Sequence, residues 1–478
     1  MDFYITTPIY YVNDKPHIGH AYTTIVADTL ARWREAQGEH VTFSTGVDEN
    51  SQKTVDAAKK NGEEIHAYID RMADLWSSTW NKLGISNTDF IRTTEERHVE
   101  VVKDIWGRME AAGDLYRGMY EGLYCKGHEA FLKESDLVDG LCPEHKTEPE
   151  LVKEENYFFR LSDYQQKLMD FYETHTDFVM PANRFREVMS FVENGLEDVS
   201  FSREGKEWGI PVPNDPHQAI YVWADALVNY ISVVGIEGWE NHPADVHTVG
   251  KDILRFHAVI WPAMLMSAGL PLPWQIAANG FLTIDGTKMS KSLGNGVDPL
   301  DLAARYGKDA VRYFLLREVQ FGEDGDYSEE KMKDRYNSDL ANGLGNFTAR
   351  VLTVAEKAPL STSGTWALDP EFAAAIKTMR VTVHEKMTQF KFSDALAAIW
   401  SAIAFGDRYV NEKKIWELKE GAARDKVLAD LIALLEAVAQ ELMPFMPETA
   451  RKIGASIMHG DAGAIAIKKP EILFPRIK

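Results

Sequence analysis

The sequence predicts an α/β protein: a parallel sheet starting at the N-terminus, an inserted module of short strands, and an α-helical bundle running to the C-terminus. Three observations carry this. The chain opens strand, loop, helix, strand. A stretch rich in Tyr, Phe and Glu, holding both cysteines, then interrupts that pattern. After Lys288 the apolar residues keep helical spacing to the end.

The elements follow in order. Phe3 to Thr7 is β-branched and aromatic, as a strand requires. Pro8 to Pro16 is a loop, with Asn13-Asp14-Lys15-Pro16 as turn material. Tyr22, Ile25, Val26, Leu30 and Trp33 then fall on one helical face up to Gly38, and Val41 to Thr45 reads as a second strand. Residues 51–115 look mainly helical and charged. Residues 116–212 form the inserted module. From Ala219 to Tyr230 the pattern turns apolar again (Ile220-Tyr221-Val222-Trp223), and His247 to Gly250 and Ala277 to Ile284 read as further strands that complete the first sheet. Amphipathic helices are expected over 336–358, 371–390, 393–416 and 423–443, broken at Ser361 to Gly364 and Pro444 to Pro447.

Composition bounds the function. A chain of 478 residues suggests about two to four domains. No run of about 18 uncharged apolar residues is present, so no membrane association is expected. The first residues lack the basic-then-apolar pattern of a secretory signal, and two cysteines exclude a disulfide framework; both predict a cytoplasmic protein. The net charge of −21 argues against a general nucleic-acid coat. A local basic path is still expected from Lys288 to Arg317, where Lys288, Lys291, Arg305, Lys308, Arg312 and Arg317 outnumber Asp298, Asp301 and Asp309.

Two motifs carry chemistry. His17-Ile18-Gly19-His20 sets two imidazoles at the start of a helix, where N–H groups add to the positive field of the terminus. Gly19 leaves room for a nucleotide to approach the backbone. Far downstream, Lys288-Met289-Ser290-Lys291-Ser292 places two ammonium groups and two hydroxyls on a loop suited to closing over a polyphosphate. Together they point to displacement of pyrophosphate at the α-phosphate of ATP, with Mg²⁺ accompanying the nucleotide. A third cluster, Cys125-x2-His128 and Cys142-x2-His145, separates two ligand pairs by thirteen residues, a pattern suited to one tetrahedral structural Zn²⁺.

The two phosphate motifs resemble those of class I aminoacyl-tRNA synthetases. Within that class, Pro8 to Asn13, Tyr221-Val222-Trp223-Ala224-Asp225-Ala226, Gly250-Lys251-Asp252-Ile253 with Phe256-His257, and Trp261 to Met264 resemble the methionyl-specific family. The likeness runs over nearly the whole chain, to Leu473-Phe474-Pro475-Arg476-Ile477. It implies a Rossmann-like fold. It also implies catalytic roles for His17, His20, Lys288 and Lys291, with Gly19 and Ser290 joining them around ATP. By position it implies a methionine pocket of Ile9, Tyr11, Trp223, Leu227, Tyr230 and His257, with Asp48 holding the substrate ammonium. Aromatic walls suit an unbranched thioether. Trp223 and Tyr230 are seven residues apart and share a face if that segment is helical. The same resemblance implies a zinc knuckle, although His128 stands where the family more often has cysteine. It implies that Asn346, Arg350 and Trp416 read the CAU anticodon of tRNA(Met).

The expected organisation is a catalytic domain over 1–115 and 213–285, a connective module over 116–212, a stem-contact module over 286–335 and an anticodon-binding domain over 336–478. With no appended segment after Lys478, a monomer is expected. Three other readings are a cysteinyl or leucyl specificity, a tRNA-binding paralogue without catalysis, and a small-molecule ligase such as a pantothenate synthetase. The gap from His20 to Lys288 is short for a leucyl editing insert, and neither cysteine lies near the amino-acid pocket. Intact histidines and lysines speak against the paralogue, and the helical tail against the small ligase.

Overall fold

The computed structural model describes residues 2–125, 130–132, 134, 137–143, 146–204, 208–289, 295–357, 360, 367–460, 465–468 and 471–477. The chain forms two compact units. One comprises Met1–Pro16 and Glu39–Asn279, the other His17–Gly38 and Gly280–Lys478.

The first unit is built on a six-stranded parallel sheet. Its strands are β1 (Asp2–Tyr11), β2 (His40–Asp48), β3 (Asp89–Arg92), β4 (Val179–Met180), β5 (Val246–Gly250) and β6 (Gln275–Asn279), in the order β3-β2-β1-β5-β6-β4. The chain grows outward from β1 to β3, then crosses over to add β5 and β6 on the other side. The topology therefore switches between β1 and β5, and ligands on such sheets sit at the carboxyl ends near that point. β3 and β4 are short edge strands that the apolar pattern does not announce. β4 comes from within the segment read as an inserted module, so that segment contributes to the main sheet as well.

β1 is irregular. Thr6 pairs with Ser44, but the next partners are Ile9 and Gly46, so β1 carries one extra residue there. Pro8 lies in the irregular stretch, where its missing N–H costs the ladder nothing. Beyond it Tyr11 lies opposite Asp48.

Helix Glu96–Ala111 buries Val102, Ile105, Trp106 and Met109 in a core shared with Tyr4, Val249, Ile276, Trp239 and Trp261. The module also holds a second, antiparallel sheet in which Leu115–Cys125 pairs with Glu150–Phe159 along its length, and the helices Gln165–Thr174 and Ala182–Glu193. Cys125 ends its strand and Cys142 follows in a turn; both side chains are buried.

The second unit begins with helix Ile18–Glu35 and resumes at Gly280. Ala277 to Ile284 is not one strand: β6 ends at Asn279, and Leu282–Ile284 belongs to a separate small sheet with Thr287–Lys288 and Gly325–Tyr327. Gly280 marks the break, because a Cβ there would lie 2.1 Å from the Glu323 carbonyl oxygen. The bundle helices are Asn346–Lys357, Pro370–Thr388, Phe392–Lys413 and Ala422–Leu442, close to their expected spans. The chain after Lys288 is not wholly helical, since Gly325–Tyr327, Ile457–His459 and Ile465–Ile467 are short strands. No helix among the described residues is long and apolar enough to cross a membrane.

Candidate active site

In the first unit the carboxyl ends of β1 and β2 meet the segment 222–230 and the turn after β5. All seven residues expected around methionine line one cavity: Ile9, Tyr11, Asp48, Trp223, Leu227, Tyr230 and His257. Pro8, Ala226 and Asn229, absent from the expected set, complete its wall. Trp223 and Tyr230 lie on two helices, Val222–Ala226 and Asn229–Asn241, rather than on one continuous face. The Trp223 ring stacks on Phe256 at 3.9 Å and meets the Tyr11 ring edge-on at 6.5 Å.

The deep end of the cavity is closed by hydrogen bonds among its own groups. His257 Nδ1 lies 2.9 Å from the Ile253 carbonyl, which can only accept, so Nδ1 carries the proton. Nε2 therefore accepts from the Tyr230 hydroxyl at 2.6 Å. Burial holds the imidazole pKa down to about 4 and pushes the Tyr230 phenol far up, so both groups are neutral. Asp48 lines the same cavity and is buried, and one of its carboxylate oxygens accepts from the Asn50 backbone N–H at 3.0 Å.

In the second unit His17 is the N-cap of its helix. Its Nδ1 accepts from the Gly19 N–H at 3.1 Å, and the His17 N–H donates to His20 Nδ1 at 3.3 Å. This is a capping box built from imidazoles rather than hydroxyl and carboxylate. With both Nδ1 atoms accepting, each neutral ring carries its proton on Nε2. The rings stack with centroids 3.6 Å apart. A Cβ on Gly19 would meet the His17 ring at 3.0 Å and the Met289 methyl at 3.2 Å, so the glycine admits its own neighbours as well as any ligand. Met289 is the second residue of the lysine motif, and the Ile18 N–H donates to the Val297 carbonyl just beyond it. The two motifs thus meet within one unit. Lys288 ends a hairpin whose turn residues Asp285 and Gly286 have φ of 49° and 73°. Ser290 and Lys291 lie outside the described residues.

Three further expectations are revised or bounded. Arg312 is not part of a basic path: it is buried, paired with Asp28 at 2.6 Å, and donates to the Phe445 and Pro444 carbonyls. Of the four expected zinc ligands, His128 and His145 lie outside the described residues. No metal-binding cluster is present among the described ones. In the bundle, Asn346 is exposed and Arg350 lies one turn further along the same helix. Asp407 and Asn411 accept from the Arg350 guanidinium at 2.7 and 2.6 Å and hold it 5.2 Å from the centroid of Trp416, which is 53% exposed. Asp407 and Asn411, spaced one turn apart, were detectable only as an unremarkable polar pair in the sequence.

A parallel sheet with an apolar pocket at its switch point, together with an imidazole-capped helix touching a lysine hairpin, defines a class I aminoacyl-tRNA synthetase. The family model described as tRNA synthetases class I (M) matches residues 3–149 and 135–352. A methionine–tRNA ligase of Thermotoga maritima is 44% identical over 95% of this chain and 75% of its own length. That of Streptomyces coelicolor is 41% identical over 100% of this chain and 97% of its own. A solved Mycobacterium tuberculosis methionyl-tRNA synthetase in complex with methionyl-adenylate superposes with a TM-score of 0.94 at 40% identity, covering 99% of this chain and 100% of that one. The chain belongs to the methionine–tRNA ligase family.

Proposed function

We propose that the chain joins L-methionine to tRNA(Met), and that the residues assembled above divide the work. The observation that carries this reading is the single cavity combining a buried carboxylate, Asp48, with a neutral aromatic end at Trp223, Tyr230 and His257. Asp48 takes the α-ammonium. The thioether runs among Ile9, Tyr11, Trp223 and Leu227 toward Tyr230 and His257, where no charge is presented.

In the first step the methionine carboxylate oxygen attacks the α-phosphorus of ATP. The bond to the bridging oxygen breaks and pyrophosphate leaves. The Nε2–H groups of His17 and His20 stabilise charge developing on the α-phosphate oxygens, Lys288 and Lys291 that on the leaving pyrophosphate, and Ser290 and the Gly19 backbone help seat the nucleotide. Mg²⁺, when bound with ATP, would neutralise phosphate charge. In the second step a hydroxyl of the terminal adenosine of the tRNA attacks the acyl carbon, and AMP leaves. The protein contributes positioning and electrostatics, with no covalent enzyme intermediate. Asn346, Arg350 and Trp416 offer hydrogen-bonding groups and a stacking face for splayed bases.

The assigned boundaries are a catalytic domain over 1–115 and 213–285, the connective module 116–212, the stem-contact module 286–335 and the anticodon domain 336–478. The molecule acts as a cytoplasmic monomer. Cys125, His128, Cys142 and His145 would together hold one structural zinc. In support, both thiols are buried, and the Lys146 N–H bonds back to the Cys142 carbonyl at 2.9 Å. Such an ion would pin the tip of the module; zinc below about a tenth of an equivalent in purified protein removes the assignment.

Methionine-dependent ATP–pyrophosphate exchange by folded protein tests the whole reading. Its absence would rule the reading out.

A further inference from the structure

Neither Asp225, His98 nor Asn50 lines the cavity, yet the three form a buried polar chain beneath it. Asp225 Oδ2 accepts from the Asn50 side-chain amide at 2.7 Å, and Oδ1 lies 2.6 Å from His98 Nε2. The same Asn50 amide reaches the Thr93 carbonyl at 3.3 Å, so its nitrogen faces two acceptors and its orientation is fixed. The other His98 nitrogen meets Ser232 Oγ at 2.9 Å, and Ser232 is bonded to the Val228 carbonyl at 3.1 Å.

These bonds connect segments far apart in sequence. Asn50 lies two residues past Asp48, and its own backbone N–H binds the Asp48 carboxylate. Asp225 lies between Trp223 and Leu227, which form the apolar wall. His98 comes from helix Glu96–Ala111, outside both. One carboxylate thus ties the ammonium-binding end of the pocket to its thioether-binding wall.

We propose that Asp225, held in place by His98, is a positioning residue for methionine: it fixes the distance between the Asp48 carboxylate and the Trp223–Leu227 wall. Replacing it lets the two ends of the pocket drift apart while the phosphate-binding motifs, which lie in the other unit, keep their own contacts. The proposal rests on the methionine reading above.

The test is ATP–pyrophosphate exchange with the wild type, Asp225→Asn and Asn50→Ala, varying methionine and ATP separately. Each variant is expected to raise KM for methionine by roughly ten- to a hundredfold, as loss of a supporting hydrogen-bond shell does elsewhere, with KM for ATP moving by less than about twofold. Adding Asn50→Ala to Asp225→Asn should cost less than the product of the two single effects, because both act on the same bond. Unchanged KM for methionine, or parallel rises for methionine and ATP, would overturn the proposal. If Asp225→Asn does not fold, Asn50→Ala decides alone, since it leaves no buried carboxylate altered. A wild type that shows no methionine-dependent exchange defeats the parent reading instead.

Discussion

The amino-acid pocket and the Arg350–Trp416 face use similar residue types in opposite ways. In the pocket, Tyr230, His257 and Asp48 are buried, and the Tyr230 hydroxyl and His257 Nδ1–H donate to other protein groups, to His257 Nε2 and the Ile253 carbonyl. On the bundle, Trp416 is more than half exposed, and the guanidinium near it is aimed by Asp407 and Asn411 while staying open to a partner. A small apolar substrate is selected by what a closed site does not offer. A nucleic acid is selected by what an open site does. The first kind of site must be finished before the ligand arrives; the second can complete itself on contact.

The largest expected effect lies in the pocket. Asp48→Asn removes the charge partner of a buried ammonium, a loss of about 2–5 kcal/mol. Methionine-dependent exchange should fall by roughly two to three orders of magnitude in kcat/KM, with aminoacylation falling in parallel. Activity retained within about tenfold would break the comparison at its charged end. Next comes Trp416→Ala. Stacking of a base on an aromatic ring contributes about 1–3 kcal/mol, so charging of tRNA should drop by about ten- to a hundredfold while exchange is spared. Equal loss of both activities would show that Trp416 supports the fold rather than the partner.

Tyr230→Phe should be milder. It removes one hydrogen bond and leaves His257 Nε2 without its donor, at a cost of about 1–2 kcal/mol, seen as a rise of about tenfold in KM for methionine. The smallest effect on activity is that of pH, which acts on stability instead. Burial holds His257 at about 4 in the folded protein against 6.5 unfolded. The unfolded chain therefore takes up this proton first as pH falls. The stability linked to His257 is complete above about 6.5 and is lost progressively as pH drops toward 4, by an amount on the order of 3 kcal/mol. KM for methionine should stay flat from about pH 8 to 6, and the melting temperature should fall below that range, less steeply in His257→Gln. A break in KM near 6.5 would mean the imidazole is wetter than its surroundings indicate.

Much of this was legible in the sequence, because it is written in local patterns. The opening strand–helix–strand unit, the bundle helices and the two phosphate motifs each occupy one short stretch, and spacing alone exposes them. The seven pocket residues came through family resemblance, since nothing local links Ile9 to His257. What stayed hidden depends on distant partners. His98 sits in a charged helical stretch and looks like surface, yet it is buried against Asp225. Arg312 reads as one cation among several, but its role is decided by Asp28 and the Phe445 carbonyl. Val179–Met180 is too short to register as a strand until β6 is beside it. The conversion of His17 and His20 into a capping pair also escaped notice, because imidazoles are not the usual caps.

The irregular pairing of β1 has a consequence for how this pocket can change. Side chains alternate along a strand, so the extra residue between Thr6 and Ile9 decides which way Ile9 and Tyr11 point. Deleting a single residue there would leave the strand intact while turning that wall inside out. Substrate preference is therefore exposed to a one-codon loss as well as to point substitution, and variants selected for altered amino acids should accumulate replacements at side chains of the wall such as Tyr11 and Trp223 while keeping the length of the Thr6–Ile9 segment unchanged.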